Sequence, residues 1–304
     1  MKPFADRLAE AVIARKSPVV VGIDPRAAQL PDSLRPSSES NPDSLANAYR
    51  DFSVGVIDAV APLVGVVKPQ LAFFEQLGPA GVRALADVVA HARKQGLLVI
   101  SDGKRNDIGS TAEAYAGAYL CENDDGIPSD SLTVSPYLGD DSLSPFVEAT
   151  KKYGTGIFVL VKTSNPGGGM LQDLVADGKK IYVHVAEHVQ RLAAETLSDS
   201  GYGAVGAVVG ATYPDQLAEL RATMQNAWIL VPGFGAQGGT AADVVAGFDE
   251  RGLGAVINSS RAIIFAYNRP EYEKFKGNDW QRAVEEATRD MNDQLRAETP
   301  AGRL

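Results

Sequence analysis

The chain has 304 residues, 45% of them hydrophobic, which is enough to bury the core of one large α/β domain or of two smaller ones. Its net charge is −9 at pH 7 and no segment is rich in Lys and Arg, which argues against a nucleic-acid partner. The single cysteine, Cys121, excludes a disulfide scaffold or a cysteine-based zinc site and suits the cytoplasm, and no apolar run is long enough to span a membrane.

Short apolar runs alternate with helical patterns along most of the chain, after a first amphipathic helix predicted over residues 1–16. Strands are predicted at 18–24, 64–68, 96–102, 131–137, 156–162, 204–210, 227–233 and 254–260. Helices are predicted at 43–61, 79–94, 109–121, 143–152, 180–198, 214–225, 240–250 and 279–296. Irregular segments are expected at 25–42, 122–130 and 163–179.

Continuous apolar strands that alternate with helices are typical of a parallel sheet covered on both faces. Eight strand–helix units fit an α/β fold made of a single (β/α)8 TIM barrel over residues 1–304, with an extra N-terminal helix. The barrel core would occupy about 18–270, and a C-terminal helix about 279–296. A doubly wound open sheet is the alternative that strand counting leaves open.

Polar and charged residues follow the predicted strands, at the end where a TIM barrel carries its active site. The densest group is "SDGKRND", in which Asp102, Lys104 and Asp107 follow a buried strand at once. A surface turn of ion pairs is the alternative, but several charges gathered at one rim favour a functional site. Asp24 and Lys68 end two other strands, although each alone could be a helix cap or a loop lysine.

A glycine-rich turn, "GFGAQGG" at 233–239, precedes a predicted helix and could leave backbone N–H groups free to bind phosphate. Arg261 follows the last strand and is well placed to pair with that phosphate. The alternative is a flexible loop without a ligand. The stretch "HVAEH" at 184–188 matches a zinc-peptidase pattern, but it lacks a third ligand, and we expect no metal site.

Six motifs, in order, resemble those of the orotidine 5′-phosphate decarboxylase family in its longer bacterial form. They are "VGIDPR", "VVKPQLAFFE", "SDGKRNDIGSTA", "TSNPG", "PGFGAQGG" and "NSSRAIIFA", and the resemblance runs over about residues 1–270. It implies a barrel homodimer that needs no cofactor and converts the small nucleotide orotidine 5′-phosphate to UMP.

The same resemblance implies a role for each matching residue. Lys104 would donate a proton to C6 of the substrate, and Asp102 would lie beside the substrate carboxylate. Lys68 and Asp24 would complete the charged group and contact the ribose. Because the repulsion between two carboxylates falls as carbon dioxide leaves, while an ammonium still attracts the developing carbanion, such a group favours the transition state.

The remaining roles concern the partner subunit and the two ends of the substrate. Asp107 and Thr111 would reach across the dimer interface and complete the partner's site, so that each active site is composite. Ser164 would bind the edge of the pyrimidine, and Gln237 and Arg261 would hold the phosphate. The longer segments 25–42 and 163–179 depart from the compact members of the family.

Two alternative functions remain open, the first an enzyme of the same suprafamily and the second a protein of another class. One is a metal-dependent sugar-phosphate decarboxylase or aldolase of the same suprafamily, which shares the D-x-K-x-x-D pattern. Lys68 argues against it, since it stands where those relatives carry an acid that helps to hold Mg²⁺. The other is a catalytically silent nucleotide-binding barrel, against which the intact Asp102, Lys104 and Asp107 speak.

Overall fold

The structure, a computed structural model, describes residues 1–36, 41–122, 126–235, 239–275, 277 and 279–304. Its strands are β1 Val19–Ile23, β2 Val66–Pro69, β3 Leu98–Arg105, β4 Ser131–Val134, β5 Gly156–Lys162, β6 Val175–Ala176, β7 Lys179–Lys180, β8 Val205–Val209, β9 Ile229–Pro232 and β10 Ala255–Ser259. Eight of them form a closed parallel barrel in the order β1-β2-β3-β4-β5-β8-β9-β10, and β10 pairs with β1. The predicted (β/α)8 barrel is confirmed, and the open sheet is excluded.

The long helices follow the strands as expected for this fold, and their bounds lie close to the predicted ones, whereas the short helices at Leu71–Glu75 and Arg261–Ile264 were not predicted. The helices are α1 Phe4–Arg15, α2 Pro42–Val60, α3 Leu71–Glu75, α4 Gly78–Lys94, α5 Gly109–Leu120, α6 Ser144–Tyr153, α7 Gly169–Gln172, α8 Ile181–Glu195, α9 Pro214–Thr223, α10 Ala241–Val244, α11 Arg261–Ile264 and α12 Trp280–Glu298. No helix within the described ranges combines the length and apolar character needed to cross a membrane.

Two further segments differ from the sequence-based expectation. The helix predicted at 240–250 is a single α-helical turn, begun by a capping box between Thr240 and Asp243, and it passes into a 3₁₀ turn at Val245–Gly247. The segment 163–179, predicted as irregular, contains α7 and the antiparallel pair β6–β7. The elements α7, β6 and β7 are too short for a periodic pattern to reveal them.

The barrel strands have two differently packed faces, because successive side chains of a strand point in opposite directions. On β1, Val19, Val21 and Ile23 pack in the large cluster shared with the helices, whereas Val20 belongs to the cluster that fills the barrel. Residues that fill the barrel on other strands are Val66, Ile100, Phe158, Val208, Leu230 and Val256. Two residues beyond Val66 and Ile100 come Lys68 and Asp102, so the alternation directs these charged side chains to the same interior, nearer the carboxyl end.

Helix α1 closes the opposite end of the barrel. Phe4, Leu8 and Val12, spaced by four residues, are buried in the interior cluster, and the ring of Phe4 meets that of Phe158 edge to face at 6.1 Å. Arg7 pairs with Asp130, just before β4, and donates to the carbonyl oxygen of Gly154, just before β5. Since these contacts precede strands, α1 lies at the amino-terminal end and leaves the carboxyl end open.

We expect Phe4→Ala to lower the free energy of unfolding by about 3–5 kcal/mol, because it opens a cavity at the base of the barrel. Ile13→Ala, on the same helix, is the control: its side chain is 50% exposed, and we expect a change within about 0.5 kcal/mol. Urea denaturation followed by circular dichroism measures both. Equal effects would show that α1 does not contribute to the core.

Candidate active site

A cavity of about 490 Å³ opens at the carboxyl ends of the barrel strands, a size suited to a small ligand. Six of the nine site residues predicted from the sequence line it: Asp24, Lys68, Asp102, Lys104, Ser164 and Arg261. These residues come from five different strand ends, so the barrel brings together side chains that are far apart in the chain. This agrees with the rule that TIM-barrel sites are assembled from several strand ends.

Asp102 is the centre of a hydrogen-bonded charge array, formed with Lys68 and Lys104. Its Oδ2 lies 2.5 Å from Nζ of Lys68, and its Oδ1 lies 2.6 Å from Nζ of Lys104. Gln70 Nε2 also donates to Oδ2 at 3.0 Å, and Thr133 Oγ1 donates to Oδ1 at 3.0 Å. With two partners on each oxygen, the carboxylate is fixed in orientation, and so are the two ammonium groups that it faces.

The electrostatics of the charge array keep the buried pair ionised. Burial alone would raise the pKa of Asp102, but the ammonium groups of Lys68 and Lys104 outweigh it and hold that pKa far below its usual value. Burial alone would lower the pKa of Lys68, but Asp102 and Asp24 outweigh it and raise that pKa. At neutral pH the array is therefore a fixed row of positive, negative and positive charge.

The backbone that carries Lys104 is irregular. The register of β3 against β4 shifts between Ser101 and Arg105, and Lys104 has a left-handed φ of 48°. Such a conformation costs of order 1–3 kcal/mol in a residue with a side chain. Two hydrogen bonds hold the irregular strand, from Lys104 N to Thr133 Oγ1 at 2.9 Å and from Arg105 Nη1 to the carbonyl oxygen of Gly103 at 3.1 Å. Backbone strain at a charged residue in a cavity is a frequent mark of a functional site.

Asp24 lies beside the charge array at the end of β1. Burial raises the pKa of its carboxyl group, and the positive charges of Lys68 and Arg26 oppose that rise. Within the described part of the chain, its Oδ1 is buried and has no hydrogen-bond partner. A buried carboxyl oxygen without a donor costs free energy, which a ligand hydroxyl group could recover.

Ser164 and Arg261 stand on opposite sides of the cavity. Ser164 follows β5 and packs against Gly210, where a Cβ would lie only 2.8 Å from the Cβ of Ser164, so the glycine allows the close approach. Arg261 begins α11, is exposed, and has no ion-pair partner among the described residues. An exposed, unpaired guanidinium at the mouth is suited to an anionic ligand. Gln237, predicted to share this role, lies outside the described residues.

Asp107 and Thr111 do not line the cavity of their own chain as the structure describes it. Asp107 is half-buried, and its Oδ1 accepts a hydrogen bond from the N–H of the next residue, Ile108, at 2.8 Å. Thr111 is exposed on the first turn of α5. Their predicted roles in a partner's site remain predictions.

Sequence analysis did not identify several residues of the site. Gln70 and Thr133 hold Asp102, and Asn258 and Phe234 line the cavity. The signal that could have found Gln70 and Asn258 is the two-residue alternation, since each follows an inward-facing residue by two positions on its strand or just beyond it. The reasoning from the residues themselves followed charge instead, and the neutral residues that were predicted (Thr111, Ser164 and Gln237) came from the family resemblance.

The closed barrel and the charged cavity at the carboxyl ends of its strands define the protein as a (β/α)8-barrel enzyme. A model of the orotidine 5′-phosphate decarboxylase / HUMPS family matches residues 17–275. The chain belongs to this family.

Individual relatives agree with that assignment. The orotidine 5′-phosphate decarboxylase of Rhodopirellula baltica is 58% identical over 97% of this chain and 100% of its own length. That of Deinococcus radiodurans is 43% identical over 86% of this chain and 89% of its own. Among solved structures, the OMP decarboxylase of Leishmania donovani superposes with a TM-score of 0.76 at 30% identity, covering 97% of this chain and 98% of its own.

Proposed function

We propose that this protein converts orotidine 5′-phosphate to UMP, without a cofactor, and that Lys104 is the proton donor to C6. The observation that carries the proposal is the charge array of Lys68, Asp102 and Lys104 at the mouth of the barrel. Direct decarboxylation leaves an electron pair on a ring carbon, which water stabilises poorly. Fixed charges aimed at that carbon are the means by which a protein can stabilise it without an electron-accepting cofactor.

The first part of the mechanism is the expulsion of carbon dioxide. With the substrate carboxylate beside Asp102 at ~4 Å, the repulsion is about 4 kcal/mol at an effective dielectric constant of 20. This repulsion disappears as the C6–carboxylate bond breaks and neutral carbon dioxide departs, leaving the electron pair on C6. The ionised state of Asp102 is secured by its two lysine partners, whose charges lower its pKa.

The second part is protonation of C6. Lys104 is held by Asp102 at 2.6 Å, so its ammonium group attracts the developing carbanion and is already in position when the charge forms. Transfer of one proton from Nζ to C6 forms the C–H bond of UMP and leaves Lys104 as a neutral amine. Its side chain is 48% exposed, so solvent can return the proton before the next turnover.

The rest of the substrate would be bound by groups around the charge array. Asp24, with its buried and unpartnered oxygen, is suited to accept a hydrogen bond from a ribose hydroxyl, together with Lys68. Arg261 would pair with the phosphate, together with Gln237 of the glycine-rich turn, and Ser164 would contact the pyrimidine. Contacts to the phosphate lie far from C6 and supply the binding free energy that positions the ring.

We also propose that the enzyme is a homodimer with composite active sites. Asp107 is not among the described residues that line its own cavity, while apolar residues that follow β3 and β4 at the same end of the barrel are exposed: Ile108, Tyr137 and Leu138. Exposed large apolar side chains at one end of a barrel favour an interface with another chain. A two-fold dimer at this face would let Asp107 and Thr111 enter the partner's site.

Mixing subunits tests the composite site. Lys104→Ala and Asp107→Ala should each be nearly inactive alone, but a hybrid dimer would contain one site with both native residues. Random exchange of equal amounts gives about half hybrids, each with one native site of two, so we expect about a quarter of wild-type activity. Mixing Lys104→Ala with Asp102→Asn is the control and should restore no activity. The same chain supplies Lys104 and Asp102 to a given site, so neither site of that hybrid dimer has both native residues. Equal activity in the two mixtures would contradict the composite site.

The substrate and the absence of a cofactor are tested together. We expect purified protein to consume orotidine 5′-phosphate, followed by its absorbance change and by release of UMP, at a rate that EDTA does not alter. A metal-dependent sugar-phosphate enzyme would lose activity in EDTA and leave orotidine 5′-phosphate intact. Both carboxylate oxygens of Asp102 already face ammonium groups, which leaves that carboxylate poorly suited to bind a metal ion. Binding of the nucleotide without turnover would indicate the silent barrel.

A further inference from the structure

Lys162 is a buried charge for which the proposed mechanism has no use. It is the last residue of β5, and its side chain is only 2% exposed. The register of β5 against β8 shifts between Leu160 and Lys162, and Lys162 is absent from the described lining of the active-site cavity. Its Nζ lies instead over the rings of Tyr182, at 5.5 Å, and Tyr213, at 5.1 Å.

The anion that balances Lys162 comes from the segment that follows β5. Asp173, just beyond α7, places its Oδ1 2.7 Å from Nζ of Lys162. A buried ammonium group is strongly unfavourable without a charged partner, so it favours conformations in which Asp173 stays in place. The ion pair thus ties the far end of an eleven-residue stretch (163–173) back to the strand from which the stretch departs.

A second contact closes the same stretch beside the ion pair. Gln172 accepts a hydrogen bond from the backbone N–H of Thr163 at 3.1 Å and donates one from Nε2 to Thr163 Oγ1 at 2.9 Å. Gly168 passes directly over this contact, where a Cβ would lie 2.8 Å from Thr163 Oγ1 and 2.9 Å from Gln172 Oε1. A side chain at Gly168 would therefore force Thr163 or Gln172 to shift and would disturb this contact.

The stretch so closed forms one wall of the active site. Thr163, Ser164 and Asn165 line the cavity, directly after Lys162. Apolar packing does little to hold the stretch, since Met170 is 80% exposed and Leu171 is 38% exposed. Its position depends instead on the polar contacts at its two ends.

We propose that Lys162 and Asp173 are positioning residues, whose ion pair holds residues 163–165 against the substrate-binding cavity. The inference rests on the proposed function for its kinetic test. Without the ion pair, the wall would occupy its binding-competent position for only part of the time. The apparent affinity for substrate is then multiplied by the fraction of time that the wall is in this position, and KM rises accordingly. The charge array on β2 and β3 is left intact.

Asp173→Asn tests the proposal, because it removes the anion and keeps the size of the side chain. We expect KM for orotidine 5′-phosphate to rise about 10–100-fold, with kcat within about threefold of wild type. Asp177→Asn is the matched control: it makes the same change in the same segment, at an exposed residue whose left-handed φ of 50° asparagine tolerates. We expect no change in either constant for the control.

A double variant separates positioning from general destabilisation. Lys162→Met combined with Asp173→Asn leaves no buried charge unpaired, so the fold should be stable. The ion pair is still absent, so KM should stay raised. A return of KM to the wild-type value would overturn the proposal, as would an unchanged KM in Asp173→Asn. Hydrogen exchange of amides 165–172 without substrate gives an independent measure, and should be faster in both variants. If the wild type did not turn over orotidine 5′-phosphate at all, the proposed function would fail. The exchange rates would still test whether the ion pair holds this segment.

Discussion

Replacement of Lys104 by alanine is expected to lower kcat/KM for orotidine 5′-phosphate by at least about 10⁴-fold. The loss combines two effects, the removal of the proton donor and the removal of an ammonium group that stabilises charge on C6. The larger share should fall on kcat, because both effects act in the transition state. Steady-state rates of decarboxylation, measured by absorbance over a wide range of enzyme concentration, give the value.

Lys151→Ala is the matched control for that experiment. Its side chain is exposed to a similar degree, 43% against 48%, and it also pairs with one acid, Glu148 at 3.0 Å, but on the outer helix α6. We expect its kcat/KM to equal that of the wild type. Full activity of Lys104→Ala would show that the proton comes from elsewhere and would remove the basis of the proposed mechanism.

Replacement of Asp102 by asparagine is expected to cost about 10³-fold or more in kcat/KM. The repulsion that drives carbon dioxide away is lost, and both lysines lose the acceptor that orients them. The variant should also be less stable by about 3–5 kcal/mol, since Lys68 is left buried with only Asp24 nearby. Kinetics and urea denaturation on one preparation measure both effects, with the exposed Asp51→Asn as control.

The stability difference has a defined pH dependence. The pKa of Asp102 is depressed in the folded protein, so its contribution is fully present above its ordinary value of 3.8 and is lost as the pH falls through the lower, folded-state value. The gap between wild type and Asp102→Asn should therefore be constant near neutral pH and narrow only below about pH 4. A gap that narrowed between pH 7 and 5 would contradict the depressed pKa.

Much of the barrel and of its charged site could be predicted from the sequence, for clear physical reasons. Buried parallel strands are continuous apolar runs, so Val19–Ile23 and Gly156–Lys162 stand out without any structure. Because TIM barrels collect their sites at strand ends, Lys68, Asp102 and Lys104 could be placed together before any distance was known. Their side chains do lie in one hydrogen-bonded array.

What sequence could not supply depends on three-dimensional detail. The direction of Lys162 follows from a one-residue register shift, which no pattern in "GIFVLVK" reveals. Two further partners of Asp102 are neutral residues, Gln70 just beyond β2 and Thr133 on β4, and their role appears only when the barrel closes. The roles proposed for Asp107 and Thr111 need a second subunit, so one chain cannot test them.

Helix α1 has a consequence for the order in which the molecule is made. The ribosome makes Phe4–Arg15 before any of the barrel strands, but the apolar surface that receives Phe4, Leu8 and Val12 includes residues as late as Val256. Part of that surface does not exist until β10 has been synthesised, so the apolar face of the helix stays uncovered during synthesis of the barrel. Until then, this face is a place where the nascent chain can aggregate.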